Sequence, residues 1–447
     1  MVTKEFAMDV VREALRQGAS DADLVFREGE EFSVTVRLRE IETIKNIAAK
    51  KLGLRVFVGQ RSAFTSTSDL SWGSLKTLVA DTLALARLAS EDPAAGLPEA
   101  SDLCTDAPDL SLYHADVPGM PVESRIEWAR RVEAAALTYD PRIQNSEGGE
   151  FSSAAGATIY ASSRGFAGEY RGTSASVVAV PIAAQDGNMQ RDYWYSSKRT
   201  VAQLESPESV GRRAAARAVR RLGARRVRTQ TAPVVFDPSM AASLLGTLCE
   251  AVSGSAVFRK SSYLVDRLGE AVAAPHVYVE DNGRMPGGLG SRPFDGEGLP
   301  TRVTPVIEAG VLRNYLLDTY AAGKLGLRST GNASRGVSGP PSAGPTNFYL
   351  KPGPHTPEEI IRSVKRGLYL TEMIGFGINT VNGDFSQGAV GLWIEDGELA
   401  YPVEEITVAG NLLEMFKNIE MVGNDLEFRS AIAAPTLKLA EMVISGE

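Results

Sequence analysis

Apolar residues recur along this chain at two spacings, that of a helix and that of a strand. Each change from one spacing to the other marks the start of a new predicted element. Apolar residues within 4–17 recur at helical spacing, which predicts an amphipathic helix that ends near Gly18. Residues 22–67 change to short apolar runs between charged or glycine turns, which predicts a β-meander packed on that helix. The predicted strands are 24–26, 32–38, 53–58 and 63–67.

A second helix and a change of composition close this first unit. Apolar residues at helical spacing predict a helix from about Asp69 to Ala89, with Ser68 or Asp69 as its N-cap. Residues 92–121 then carry five prolines among small and acidic residues, which is typical of a linker. We therefore expect an N-terminal α/β-meander domain at residues 1–91 and a proline-rich linker at residues 92–121.

The next stretch combines a helix, a sheet and another helix. Helical spacing of apolar residues predicts a helix over 122–137. Alternating apolar and small residues predict a long antiparallel sheet over 143–197, and helical spacing returns over 207–228. These elements define a predicted middle domain at residues 122–229.

Strand and helix signals are mixed through residues 230–447, the predicted C-terminal domain. A strand at 233–236 leads into a helix at 238–252 that Asp237 caps. Further hairpins and helices are predicted at 307–312, 356–365, 394–399 and 411–419. Because strands and helices do not alternate regularly, the expected fold class is α+β. A helix and β-meander lobe would precede a C-terminal lobe of mixed, hairpin-rich sheet with a few helices.

Composition and charge narrow the class of protein. The 447 residues carry a net charge of −8, which disfavours a chain-wide attraction to nucleic acid or to an anionic membrane. Cys104 and Cys249 lie far apart, so neither a disulfide framework nor a thiolate metal cluster is predicted. The charged N-terminal helix lacks a signal-peptide core, and no apolar run approaches the ~20 residues that span a bilayer. We expect a cytoplasmic protein with no membrane partner.

A run of arginines raises the question of nucleic-acid binding. Eight arginines lie between Arg212 and Arg228. Arg213, Arg217 and Arg220 share one face at helical spacing, so a solvated helix face explains them. The run also lacks the interleaved aromatic residues of single-strand binding proteins. We therefore expect no nucleic-acid partner.

Residues with recognisable chemistry are few. His114, His276 and His355 stand alone, without a second histidine at ligand spacing, so no zinc site is predicted. The glycine-rich segments 287–290 and 375–377 lack the strand-to-helix setting of a phosphate loop. The serine-hydrolase elbow G-x-S-x-G and the P-loop motif are both missing from the sequence. The sequence therefore assigns no catalytic residue and no metal ligand to this chain.

Several longer segments, in order along nearly the whole chain, resemble one known family. They are GLRVFVG from residue 53, VVFDPSMAASLLG from 234, FRKSSYLVDRLG from 258, SRPFDGEGLPTR from 291, KLGLRSTGNASR from 324, NGDFSQGAVGLWIEDGEL from 382 and MVGNDLEFRSAIAAPTLKL from 421. These segments resemble the TldD/PmbA proteins. The resemblance covers all three predicted domains.

The resemblance implies the non-catalytic branch of that family, PmbA or TldE. The family's catalytic chain is a zinc peptidase with H-E-x-x-x-H on a helix and a cysteine near its C-terminal end. In this sequence the matching positions are occupied by Leu245, Gly246 and Glu250. The resemblance thus implies no cofactor here and zinc in a TldD-type partner. It also implies a heterodimer with that partner, or a homodimer alone, acting on small unfolded peptides such as microcin-type precursors and antitoxins.

The peptide would bind in the C-terminal lobe by strand addition, which recognises backbone more than sequence. The candidate lining residues are Thr330, Gly331, Asn332, Asn382, Asp384 and Ser386. Turn formation is their alternative role. Two other functions are compatible with the sequence. One is a stand-alone hydrolase with a metal on Glu250, Cys249 and a distant histidine, and the other is a regulatory module of a nucleic-acid machine such as DNA gyrase.

Overall fold

The computed structural model describes residues 2–446. The helices in this range are α1 (Lys4–Arg16), α2 (Trp72–Leu88), α3 (Val122–Leu137), α4 (Pro207–Val219), α5 (Pro238–Ala251), α6 (Gly254–Phe258), α7 (Thr319–Leu325), α8 (Pro357–Arg362) and α9 (Leu412–Lys417). The helices predicted at 4–17, 122–137 and 238–252 are confirmed within a few residues. Among residues 2–446 we find no helix that is both long and apolar enough to cross a membrane.

One large antiparallel sheet occupies the N-terminal half. Its strands are β1 (Asp21–Arg37), β2 (Glu40–Val58), β3 (Arg61–Thr67), β4 (Ile143–Ser162), β5 (Ala167–Gln185), β6 (Asn188–Arg191) and β7 (Trp194–Lys198). Their order is β3-β2-β1-β4-β5-β6, and β7 also pairs with β5. The β1–β4 pairing joins the predicted first and middle domains in a single sheet.

The predicted meander of short strands is wrong in its lengths. The predicted strands 24–26 and 32–38 both belong to β1, and 53–58 is the second half of β2. Residues 40–50 of β2 are exposed on both faces, so no apolar alternation marks them in the sequence. Pairing with β1 holds them in strand conformation.

The N-cap of α2 also differs from its prediction. Ser71 occupies the N-cap position, and not Ser68 or Asp69. The Asp69 carboxylate accepts hydrogen bonds from the Ser71 N–H and the Ser74 hydroxyl. Asp69 therefore organises the turn that precedes the helix.

Helices cover one face of the large sheet. α1 and α2 bury apolar residues at one end of this face, including Leu24 and Phe26 of β1. At the other end, α3 packs on Val34 and Phe151, and α4 packs with α3 on β5. The opposite face of the sheet is turned toward residues 229–446, because Arg55 of β2 pairs with Glu297.

The C-terminal half contains two mixed sheets around one core. Its strands are β8 (Gln230–Phe236), β9 (Val279–Asn282), β10 (Val303–Glu308), β11 (Val311–Leu312), β12 (Ala333–Ser334), β13 (Ser342–Ala343), β14 (Phe348–Leu350), β15 (Arg366–Ile374), β16 (Asp384–Glu395), β17 (Glu398–Asn411), β18 (Ile419–Val422), β19 (Ile432–Ala433) and β20 (Leu437–Ser445). The sheet orders are β17-β16-β15-β8-β20-β18 and β11-β10-β9-β14-β19. The predicted α+β class is confirmed.

Residues 92–121, the predicted linker, run along the protein and pack into it. They contain a 3-10 helix at Ala100–Asp102. Leu103, Leu110 and Leu112 in this segment are each less than 9% exposed. Its backbone also bonds to the large sheet, because the Thr173 N–H donates to the Leu112 carbonyl.

The interpretation of the arginine run as a solvated helix face is wrong at its centre. The Arg217 side chain is 11% exposed and lies between the carboxylates of Asp192 and Asp237. Burial lowers the pKa of Arg220, and Arg217 lowers it further. Residues 229–446 cover this face of α4, an arrangement that helical spacing alone does not reveal.

Candidate functional site

The sheet face turned away from α1–α4 is open along its middle. Two adjoining cavities, of about 600 Å³ and about 590 Å³, lie there against the C-terminal half. The two cavities share the lining residues Glu31, Ile47, Ala154, Ser174 and Arg199. We call this joint space the channel. Concave spaces of this size are the usual location of ligand sites.

A row of serine side chains forms one end of the channel floor. Ser33 of β1 lies opposite Ser152 of β4. Ser176 of β5 lies opposite both Ser152 and Ser197 of β7. The Ser197 hydroxyl donates to the Ser176 hydroxyl at 2.7 Å. Because directly opposed residues face the same side of a sheet, the row presents hydroxyl groups to the channel.

A parallel row of glycines keeps the floor flat farther along. Gly29, Gly156 and Gly172 lie opposite one another on β1, β4 and β5. A Cβ added at Gly172 would lie 3.2 Å from Nη1 of Arg199. Any side chain there would therefore push against the guanidinium that crosses the channel.

Arg199 joins the channel floor to the C-terminal half. Its hydrogen bonds go to backbone carbonyls rather than to a carboxylate. Its guanidinium donates to the backbone carbonyls of Thr173, Gly288 and Leu289, at 2.7–3.2 Å. Burial lowers the pKa of Arg199. Carbonyl groups satisfy its N–H donors but do not neutralise its charge, so the channel wall keeps a positive potential here.

Cations outnumber anions at the serine end of the channel. Lys45, Arg199 and Arg429 line this cavity together with the carboxylate of Glu31. Arg429 pairs with Glu427, so Lys45 and Arg199 supply most of the excess positive charge. The net charge of the whole chain is −8, so the excess charge at this end of the channel is opposite in sign to that of the chain.

A smaller cavity of about 280 Å³ follows the exposed face of α5 and adjoins the channel at Arg429. We call it the α5 groove. Its wall on α5 consists of small side chains at helical spacing, namely Ser239, Ala242, Ser243 and Gly246. Tyr193 and Tyr195, whose rings stack at 6.2 Å, also line it.

The three positions that match the zinc motif do not meet in this groove. Leu245 is 2% exposed and belongs to the C-terminal core. Gly246 lines the groove, and a Cβ there would meet nothing within 4 Å. Glu250 is exposed on the surface of α5.

The residues present do not fit a zinc ion. Cys249 is 6% exposed in the core, and burial raises the pKa of its thiol. Hydroxyls and a glycine on the α5 wall are poor ligands compared with thiolate, imidazole or carboxylate. Within residues 2–446, we find no group of three or more His, Cys, Asp and Glu side chains placed to hold a metal.

The candidate lining residues of the segment 330–332 serve to fix a loop. Asn332 is 2% exposed, and its amide donates to the carboxylate of Asp281 at 2.6 Å. The Thr330 hydroxyl accepts from the Leu317 N–H at 2.7 Å, and Gly331 has a positive φ of 75°. This placement matches the turn role named above as the alternative.

The second candidate segment consists of an exposed turn at Asn382 and the first residues of β16. The Asn382 amide donates to the Asp384 carboxylate at 2.7 Å, and the Asp384 N–H donates back to Asn382 at 3.1 Å. Ser386 is exposed, and its N–H donates to the Gly377 carbonyl. These three residues do not line the channel or the α5 groove.

A buried ion cluster closes one end of the channel. Arg55 donates to both carboxylate oxygens of Asp23, at 3.0 and 2.7 Å, and lies 3.4 Å from Glu297. Arg335 lies 2.7 Å from the same Asp23 carboxylate, and the Tyr160 hydroxyl donates to it. We call these five residues the first junction, because they join β1, β2 and β4 to the C-terminal half.

A second cluster joins the far end of the sheet to the C-terminal half. Arg217 bridges Asp192 and Asp237, the N-cap of α5. Arg221 is 7% exposed and donates to the Glu372 carboxylate. We call these residues the second junction. The channel lies between these two ion-paired contacts, which join the large sheet to the C-terminal half.

Matches to family models define the class of this protein. Residues 22–86, 115–222 and 229–446 match, in turn, domain 1, the central domain and the C-terminal domain of the PmbA/TldA metallopeptidases. Together these ranges cover most of the chain. The fold and the sequence are therefore those of a PmbA/TldD-type metallopeptidase chain.

Individual relatives place the chain more narrowly. It is 39% identical to the metalloprotease PmbA of Escherichia coli O157:H7, over 97% of this chain and 94% of that protein. It is 37% identical to the PmbA homolog of Haemophilus influenzae, with the same coverage. This chain belongs to the PmbA/TldD family, in its PmbA/TldE branch.

Solved structures share the whole architecture. A Bacteroides thetaiotaomicron protein, named as a candidate modulator of DNA gyrase, superposes with a TM-score of 0.93 at 28% identity over 100% of both chains. TldE from Thermococcus kodakarensis superposes with a TM-score of 0.90 over 99% of this chain. At 21% identity, this second likeness supports the fold alone.

Sequence reasoning missed the channel floor. The serines of its first row come from four strands that are distant in sequence, so their alignment depends on the register of each pairing. A local signal was present, because Ser174 and Ser176 alternate with buried residues on β5. Alternation identifies a sheet face but does not say which strands lie beside it.

Proposed function

We propose that this chain is the non-catalytic subunit of a cytoplasmic two-chain metallopeptidase that processes small unfolded peptides. Its role is to bind the peptide, while a TldD-type partner supplies zinc and the activated water. One combination carries the proposal. Among the residues that line the α5 groove, Glu427 is the one His, Cys, Asp or Glu side chain, and it pairs with Arg429, so the groove lacks a set of zinc ligands. The groove also adjoins a channel with a flat, small-residue floor.

An extended peptide suits the shape and chemistry of the channel. Glycine and serine on the floor leave room for a backbone and two rows of side chains. Each serine hydroxyl can both donate and accept, so it can bond to either an N–H or a C=O of the peptide. Contacts of this kind give affinity with little sequence preference.

The cations at the serine end add a charge preference. Lys45 and Arg199 can attract an acidic side chain or a C-terminal carboxylate, since charge-assisted hydrogen bonds are the stronger kind. Acidic peptides should therefore bind more tightly than basic ones. Added salt should reduce the difference, because Lys45 is exposed.

Mixing the chain with a TldD-type subunit tests the proposal. Zinc content and cleavage of an unfolded acidic peptide are measured for this chain, for the partner and for the mixture. We expect sub-stoichiometric zinc and no cleavage by this chain alone, and at least tenfold faster cleavage by the mixture than by the partner. Fluorescence anisotropy with the same peptide reports binding separately from cleavage.

Two outcomes would overturn the proposal. Stoichiometric zinc with cleavage by the isolated chain would establish a stand-alone hydrolase. Equal cleavage by the partner alone and by the mixture would remove the subunit role.

A further inference from the structure

A separate cavity, of about 490 Å³, lies beside the first junction, and we call it the aromatic pocket. Its floor comes from β2 and β3, where Phe64 lies directly opposite Arg55 and Ser62 lies opposite Phe57. Because directly opposed residues face the same side of a sheet, these four side chains form one surface. No residue that lines this pocket also lines the channel or the α5 groove. The pocket has the size of a small-molecule site.

Aromatic rings form much of the pocket wall. Phe258 of α6 and Tyr320 of α7 meet edge to face, with their ring centroids 5.6 Å apart. Phe64 on the floor is 44% exposed, although it is large and apolar. Residues 340–341, both proline, add a further apolar side. A flat apolar group would pack well in these surroundings, because aromatic rings favour edge-to-face and offset-stacked contacts.

Four charged side chains line the pocket, and two of them already have partners. Arg55 is paired within the first junction. Asp92 accepts a hydrogen bond from the Lys324 ammonium group at 2.6 Å. One carboxylate and one guanidinium, those of Asp318 and Arg259, therefore remain for a ligand.

The Asp318 carboxylate lies at the deep end of the pocket with one oxygen free. Its Oδ1 accepts from the Ala321 N–H at 2.8 Å, and within residues 2–446 no other residue donates to Oδ2. The residue is 2% exposed. Burial and the neighbouring Glu297 carboxylate raise its pKa to about 6. An ammonium group in the pocket would offset both effects, because a nearby cation stabilises the ionised carboxylate.

Arg259 lies at the mouth of the pocket, since its side chain is exposed. Its guanidinium is 5.5 Å from the ring centroid of Phe258. In the part of the chain that the structure describes, no carboxylate lies within ion-pair distance of it. A guanidinium in this state is suited to a carboxylate, which it can bind through two parallel hydrogen bonds.

We propose that the aromatic pocket binds a small zwitterion with an aromatic side chain, in the simplest case a free aromatic amino acid. The ammonium group of the ligand meets Asp318 and its carboxylate meets Arg259. The side chain of the ligand packs against the rings of the wall. A ligand with a single charge would leave either Asp318 or Arg259 unpaired, so the pocket favours the zwitterion. This inference is independent of the peptidase function proposed above.

Three probes test the two charges separately. L-phenylalanine carries both charges, L-phenylalaninamide lacks the carboxylate, and N-acetyl-L-phenylalanine lacks the ammonium group. Titrations of the full chain at pH 7, followed by ligand-observed NMR, give the dissociation constant of each probe. We expect the wild-type chain to bind L-phenylalanine more tightly than either analogue.

Two substitutions assign each charge to its residue. Asp318→Asn keeps the N-cap of α7 and should weaken L-phenylalanine and its amide at least tenfold, while N-acetyl-L-phenylalanine binds as to wild type. Arg259→Gln should weaken L-phenylalanine and N-acetyl-L-phenylalanine about threefold, because Arg259 is exposed, and leave the amide unchanged. Arg328→Gln is the matched control, since Arg328 is exposed but does not line the pocket, and it should change no dissociation constant.

The crossed pattern separates lost contacts from lost folding. A misfolded variant would lose all three probes, whereas each substitution is expected to spare one of them. Failure of the wild-type chain to bind L-phenylalanine at millimolar concentration would overturn the proposal. Equal binding of all three probes by the wild-type chain, or equal weakening of all three by either substitution, would also overturn it.

Discussion

The face of the large sheet that meets the C-terminal half is closed at one end and open in its middle, although the same strands form both parts. On β4, Tyr160 is buried in the first junction, whereas Ser152 lines the channel. Both side chains point to the same side, because their positions differ by an even number. Side-chain size and charge partners, rather than strand pairing, therefore decide whether the two halves touch or leave a space.

The charged side chains of the first junction are all buried. Burial alone would raise the pKa of Asp23, but Arg335 and Arg55 hold it below its ordinary value. Removing ions from water is costly, so such a cluster is stable only when each charge keeps its partners. The channel floor, with its hydroxyl groups and glycines, needs no such partners.

Breaking the first junction should give the largest effect on stability. Asp23→Ala leaves the guanidinium groups of Arg55 and Arg335 buried without their shared carboxylate. We expect a loss of about 3–5 kcal/mol in the free energy of unfolding, measured by urea denaturation at pH 7.

The matched control for this substitution is Asp9→Ala, which removes an exposed ion pair with Arg12. It should change the free energy of unfolding by less than about 1 kcal/mol. Equal effects of the two substitutions would mean that the first junction contributes no more than a surface pair.

The second-largest predicted effect on the free energy of unfolding depends on pH. Burial and the neighbouring Glu297 carboxylate raise the pKa of Asp318, beside the first junction, to about 6. Because the folded state binds this proton more tightly than the unfolded state, stability is lost as pH rises from about 4 to about 6. Asp318→Asn keeps the N-cap of α7, because Asn caps helices well. The substitution also removes the loss of stability with rising pH, because Asn does not titrate. It should stabilise the protein by at most about 3 kcal/mol at pH 7.5.

The measurement is the urea midpoint of wild type and Asp318→Asn from pH 4 to pH 8. The two curves should meet near pH 4 and diverge until about pH 6. Asp81→Asn, at an exposed position of α2, serves as the control and should run parallel to wild type. Parallel curves for Asp318→Asn as well would rule out a raised pKa at this site.

The sequence correctly predicted helix starts that are fixed by residues close to them in the chain. A helix was predicted to start at residue 356, and Thr356 and Glu359 form a capping box there; Asp237 caps α5 as predicted. Each of these signals acts within a few residues. The exposed half of β2 has no such signal. Its strand conformation comes from β1, and its register could not be deduced from its own residues.

The candidate site shows the same limit. The family motif positions Leu245, Gly246 and Glu250 were readable on α5, but the channel beside it was not. The channel requires the register of four strands and the two junctions that hold the C-terminal half above them. Asn332 was readable as polar, but its buried bond to Asp281 spans 51 positions along the chain.

Filling the channel should have the smallest effect on the free energy of unfolding, and it should still weaken peptide binding. Ser152→Phe places a ring in a cavity of about 600 Å³, so the ring meets space rather than packed atoms. We expect the free energy of unfolding to change by less than about 1 kcal/mol, and peptide binding to weaken at least tenfold by anisotropy. The Ala157 backbone borders the channel, but its side chain points to the opposite face of β4, because positions 152 and 157 differ by an odd number; Ala157→Phe should therefore leave binding unchanged. Equal binding by both variants would move the peptide site away from the channel, whereas weakened binding by Ser152→Phe alone would place the peptide on the serine row.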